Sequence, residues 1–94
     1  MNENSYEQKL REEGFSGVFI HRDRPNAHYP DHTHHGTTAH VVIEGSITVT
    51  SGGKTVTYGP GERFDVAAGA VHSAIIGPEG CLYVIGEKEA PSVV

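Results

Sequence analysis

From Gly17 onward, short runs rich in Val, Ile, Thr and Tyr alternate with glycine- and proline-bearing breaks at nearly regular spacing. No other feature constrains the fold so strongly. β-Branched and aromatic residues suit extended backbone and glycine and proline punctuate it, so the pattern predicts an all-β chain. The predicted strands are residues 18–22, 27–29, 37–44, 46–51, 54–58, 63–66, 72–76 and 81–86. They are separated by Glu44-Gly45, Gly52-Gly53, Gly59-Pro60-Gly61, Ala68-Gly69 and Gly77-Pro78-Glu79-Gly80. The Gly-Gly pair between two alternating runs reads as a tight hairpin, because primed turns need positive φ at their centre. Eight short antiparallel strands without crossover helices suit a small β-barrel or jelly roll, which removes exposed edges by closure.

Ahead of the strands lies one helix signal. Asn4 or Ser5 can cap it, Gln8 stands three residues after Ser5 as in a capping box, Tyr6 and Leu10 are spaced i,i+4, and Gly14 occupies the usual terminating position. Two turns are too short to be stable alone, so this helix must lie on something. With 94 residues, the chain suits one modest core. The organisation expected is a helical segment at 1–16 packed on a single barrel domain at 17–90, with a tail at 91–94.

Alternation shows which strand faces are dry. Ile47 and Val49 share one face of their strand, while Ser46, Thr48 and Thr50 share the other. In 37–44, Ala39, Val41 and Ile43 line one face and Thr38, His40 and Val42 the other. If the histidine face looks inward, the outer face needs a cover, either the helix or a second copy of the chain. The run 81–86 is apolar on both faces, and together these strands raise the expectation of a homodimer.

Charge excludes some functions. A net charge of −5 offers no field to hold a phosphate backbone, so nucleic acid is not an expected partner. Glu3, Glu7, Glu12, Glu13, Glu87 and Glu89 gather at the ends and read as solvated surface. No apolar run is long enough to cross a membrane as a helix. The opening MNENSYEQKLREE lacks the apolar stretch of a secretory signal, and the single Cys81 cannot form an internal disulfide, so a cytoplasmic protein is expected.

Histidine is in excess: there are seven, of which His28, His32, His34, His35 and His40 lie close together in sequence. In His32-Thr33-His34 the two imidazoles project to one side of an extended chain and can grip one ion. Alone, such a pair in a polar turn after Pro30 is more often just solvated.

Its context changes the weight. His32, His34 and Gly45 match the first motif of the cupin superfamily (glycine, five residues, H-x-H, three or four residues, Glu, six residues, Gly). Gly61, Gly69 and His72 match the second (glycine, five residues, P-x-G, two residues, His, three residues, Asn). Together the motifs span 26–76, and the chain resembles the small single-domain cupins. The resemblance implies a cupin-type β-barrel, with His32, His34 and His72 holding a divalent transition metal. Asn26 replaces the opening glycine, Ala67 the proline and Ile76 the asparagine. Thr38 stands at the glutamate position, where the family usually has its fourth ligand, and a neutral hydroxyl is a poor substitute for a carboxylate.

His40 shares strand parity with Thr38, ~6.6 Å further along. It is a candidate fourth metal ligand, a residue orienting substrate or metal-bound water, or an interior histidine satisfied by a core partner. A site of neutral imidazoles leaves the ion's charge uncompensated and favours anionic ligands. The donor set suits Zn, Ni, Fe or Mn without choosing among them.

By parity, Phe64 and Tyr83 form interior wall and, with Thr38, line the expected ligand pocket; Arg63 and Asp65 face outward. His21, His28 and His35 read as strand and loop residues, Glu44 as a hairpin tip, and Cys81 as a small hydrophobe. The expected function is metal and small-anion binding, with dioxygenase- or isomerase-type chemistry implied by the resemblance. The alternative is a barrel that binds a small molecule, or only a structural ion, without turnover.

Overall fold

The computed structural model describes residues 3–89. A helix, α1 (Glu3–Glu12), precedes six strands: β1 (Gly17–Asp23), β2 (His28–His32), β3 (Thr37–Ser51), β4 (Lys54–Tyr58), β5 (Arg63–Val66) and β6 (His72–Lys88). The tail expected at 91–94 lies outside the described residues. Asn4 and Ser5, expected as caps, fall inside the helix. Its far end is as anticipated: Phe15 N–H donates to the Leu10 carbonyl and Gly14 N–H to that of Arg11, at 3.1 and 3.0 Å. Gly14 takes φ +97, and Phe15 packs with Leu10 in one buried cluster, which completes a Schellman stop.

Eight expected strands become six because β3 and β6 run through the glycine breaks at 45 and 77–80. The two pair from Thr37↔Lys88 to Ser51↔His72, slipping register between Val42 and Glu44 and again between Gly45 and Ile47. The strands bend there without ending. A side chain on Gly45 would place Cβ 2.0 Å from the Gly80 carbonyl oxygen, and Gly45 has φ +78, so glycine is required where the backbones cross most closely. Glu44 is therefore not at a hairpin tip; it sits mid-strand, exposed, 3.8 Å from Arg22.

The bend folds one sheet into two facing halves. In the first, β1 and β5 flank the 81–88 part of β6 and the 37–44 part of β3. In the second, β2 and β4 flank the 72–76 and 47–51 parts of the same strands. This is the small cupin-type β-barrel. The β3–β4 connection is the expected tight hairpin, with Gly52 and Gly53 both at positive φ.

Strand parity sorts the core as the alternation indicated. Val42, Ile47, Val49, Phe64, Ile76 and Tyr83 fill the space between the halves. Ala39 and Val84 point outward and are covered by Leu10 and Phe15, with Tyr6, Val18 and Ile43 around them. The helix thus supplies the cover that the apolar outer face requires. Arg63 fastens it from β5, donating to both Glu13 carboxylate oxygens at 2.8 Å and to Asp65 at 2.8 and 2.9 Å. Lys88 Nζ donates to the Glu13 carbonyl at 2.9 Å.

Candidate metal centre

The end of β2 and the start of β6 are cross-strand neighbours, so the register sets His32 directly opposite His72. The chain leaves β2 after His32, and the loop carrying His34 is tied down by Gly69 N–H donating to the His34 carbonyl at 3.0 Å. The three rings meet: centroids are 4.1 Å apart for His32 and His72, and 5.0 Å for His34 with each. One ring nitrogen from each residue lies within 4.8 Å of the others.

The donor set fits a metal ion. His32 Nδ1 faces the Pro30 carbonyl at 2.7 Å and His72 Nδ1 faces that of Ala70 at 3.1 Å. A carbonyl only accepts, so each Nδ1 carries the proton and each Nε2 keeps a free lone pair. This is the usual way a protein orients an imidazole ligand. Burial, then the neighbouring His72 and His32, hold His34 below the ordinary imidazole value, with Glu87 pulling weakly the other way. A neutral imidazole is the form a metal takes.

His40 does not join the trio. Its ring lies flat on Phe64, with centroids 4.4 Å apart and planes 5° from parallel. Its Nδ1 is buried without a hydrogen-bond partner among the described residues. Burial first, then the charges of His34 and His72, push its pKa down to about 4, against a weak opposing pull from the Phe64 backbone. His40 is neutral at ordinary pH.

Beside the trio lies a cavity of about 200 Å³ whose walls include His40, Phe64, Tyr83, Ile47 and Val49. Phe64 and Tyr83 are where parity put them. Thr38 is not in this cavity. It lines a second one, of about 380 Å³, together with His34, His35 and Glu87. Thr38 is 2% exposed, and its Oγ1 has no hydrogen-bond partner among the described residues.

Sequence reasoning missed a polar hub in the wall of the first cavity. The Asp23 carboxylate, buried at the end of β1, accepts from Tyr29 Oη and Tyr83 Oη at 2.5 Å each and from His21 Nε2 at 2.9 Å. Burial works against the charge, but the three bonds outweigh it and the carboxyl sits below its ordinary value. Burial and the Asp23 charge in turn raise both tyrosines, which stay protonated donors. The available signal was parity: Phe19, His21 and Asp23 alternate on one face of β1, opposite Ile85, Tyr83 and Cys81. His28 and His35 stay outside the trio. Cys81 is buried, its thiol pushed up to about 11 by burial and then Asp23, so it is an inert filler.

Comparison with known proteins agrees with this fold. A Rhizobium leguminosarum protein of unknown function is 26% identical with a TM-score of 0.73, covering 78% of this chain and 69% of its own. An RmlC-like cupin from Shewanella frigidimarina is 21% identical at TM-score 0.69, covering 80% and 67%. The DMSP lyase DddQ from Ruegeria pomeroyi is 14% identical at TM-score 0.70, covering 82% of this chain but 40% of its own, a likeness of fold alone. No curated protein matches the sequence. The cupin domain family, Cupin_2, matches residues 19–84, and with the bent two-layer barrel and the histidines at its two motifs, the chain belongs to that family.

Proposed function

We propose that this protein is a metal-binding cupin in which His32, His34 and His72 hold a divalent transition metal (Zn, Ni, Fe or Mn) beside a pocket for a small anionic molecule. The observation that carries this reading is the pair of Nδ1 bonds to the Pro30 and Ala70 carbonyls, which leave two Nε2 lone pairs free next to His34. A bound ion would supply Lewis acidity and attraction for anionic oxygens. The chain's own residues set size and orientation. A cavity of about 200 Å³ is smaller than the usual site for a drug-sized molecule, which favours a small ligand. Its apolar wall and the neutral His40 make a carboxylate or enediolate bind with the charged end toward the histidines.

Turnover, of dioxygenase or isomerase type, is favoured by one feature: the His21 ring lines this pocket while Asp23 holds its Nε2. A histidine oriented by a carboxylate in this way can take up or give a proton. Binding without turnover is favoured by Thr38, which leaves the motif without its carboxylate.

The test is to load untagged protein with Co(II) and titrate small carboxylates and enediols while following the visible bands. Saturable changes that vanish in His34→Ala support the reading, and unchanged bands across the panel sink the anion pocket. Oxygen uptake or substrate loss in the iron-, manganese- or nickel-loaded forms would establish turnover; none across the panel leaves binding as the function.

A further inference from the structure

Glu87 reads from the sequence as solvated surface and its side chain is exposed, but β6 carries its backbone into the row whose other members face the barrel interior. In the register, Thr38 pairs with Glu87, His40 with Ile85 and Val42 with Tyr83. Paired residues in an antiparallel ladder share a face with Cβ atoms about 5 Å apart. Glu87 therefore continues the row of Tyr83 and Ile85 toward the rim and stands beside Thr38, the position where the cupin motif carries its glutamate. The two lie in one cavity with His34.

Its surroundings leave this side chain room to fold inward. Across β1 its partner is Gly17, which has no side chain, and across β3 it is the short Thr38. No hydrogen bond or ion pair among the described residues holds its carboxylate. Beside it, the buried Thr38 Oγ1 lacks any partner among the described residues; such a donor is costly to leave unmatched, and a carboxylate would satisfy it.

We infer that Glu87 supplies, from the neighbouring strand, the carboxylate that this chain lacks at Thr38, folding inward to accept from Thr38 Oγ1 and to face the ion held by His32, His34 and His72. This rests on the metal-site reading above. One carboxylate against a divalent ion leaves a net charge of +1, so the preference for a small anion is reduced but retained.

The experiment measures Co(II) affinity by chelator competition, together with the visible spectrum, for wild type, Glu87→Gln, and the double variant Thr38→Glu/Glu87→Gln, all as full-length untagged protein. Glu87→Gln is expected to weaken binding 10- to 100-fold, the range seen for carboxylates that support a metal site. It should also shift the Co(II) bands, with the apo unfolding midpoint unchanged. The double variant, with its carboxylate moved to the motif position, should recover most of the affinity. Wild-type affinity and spectrum in Glu87→Gln would overturn this inference while leaving the three-histidine site standing. An absence of Co(II) binding by wild type would overturn both.

Discussion

His32 Nδ1 donates to the Pro30 carbonyl across 2.7 Å, and this bond between residues two apart decides which nitrogen faces the cluster. His72 repeats the device with Ala70, also two residues back. The local backbone therefore presets the ring orientation of two of the three clustered histidines. Replacing either histidine with glutamine keeps polarity and size but removes the Nε2 lone pair. Each single variant is expected to lose more than about 100-fold in metal affinity by chelator competition, beyond the cost of removing a supporting partner. A loss under about threefold would mean that the nitrogen is not a ligand.

Asp23 predicts an acid sensitivity. Its carboxyl lies below its ordinary value of 3.8 because the bonds from Tyr29, Tyr83 and His21 outweigh burial. The folded state thus releases this proton more readily than the unfolded state. The associated stability is fully present above the ordinary value and is lost as pH falls through the lowered one. Tyr83→Phe, which removes one charge-assisted bond, is expected to cost about 1.5–3 kcal/mol in denaturant unfolding at neutral pH. Its deficit should shrink below about pH 4; a constant deficit down to pH 2 would contradict the assignment.

Leu10 is 1% exposed and belongs to the outer cluster with Phe15, Ala39 and Val84, on the far side of the sheet from the histidines. Leu10→Ala should cost roughly 2–5 kcal/mol by denaturant unfolding. Metal affinity measured under folding conditions should stay within about twofold. A large change in affinity would show that the helix is coupled to the site.

Gly45 closes the first motif for a backbone reason. At φ +78, with the Gly80 carbonyl where a side chain would begin, alanine is both strained and obstructed. Gly45→Ala should destabilise the chain by more than about 3 kcal/mol, above the usual cost of strain alone. Gly52→Ala meets nothing within 4 Å of its Cβ and should cost only about 1 kcal/mol for its positive φ. Equal unfolding midpoints for the two would contradict this account of the bend.

Much of the fold is legible because strand parity is a local property. The inward set of Thr38, His40, Val42, Phe64 and Tyr83 and the outward set of Ala39, Val41 and Ile43 follow from period-two alternation alone. The histidine trio is legible through motif spacing, because His32 and His72 are brought together by register between two short segments. Other features depend on what lies across a strand. Whether Gly45 ends β3 or bends it is decided by Gly80, which sequence order does not place beside it. Asp23 is a hub only because Tyr83 and Tyr29 arrive from other strands, and Glu87 joins the inward-facing row only because β6 continues past the expected end at residue 86. His40 shows the remaining gap: parity turned it inward, but its stacking on Phe64 depends on a strand that sequence order does not place beside it.

The proposed function depends on a metal ion held by His32, His34 and His72. It is tested most directly by elemental analysis of untagged wild-type protein beside the His32→Ala/His72→Ala variant, both purified without a metal-affinity step. Wild type is expected to carry close to one equivalent of a divalent transition metal and the variant almost none. Equal metal content in the two proteins would contradict the proposal.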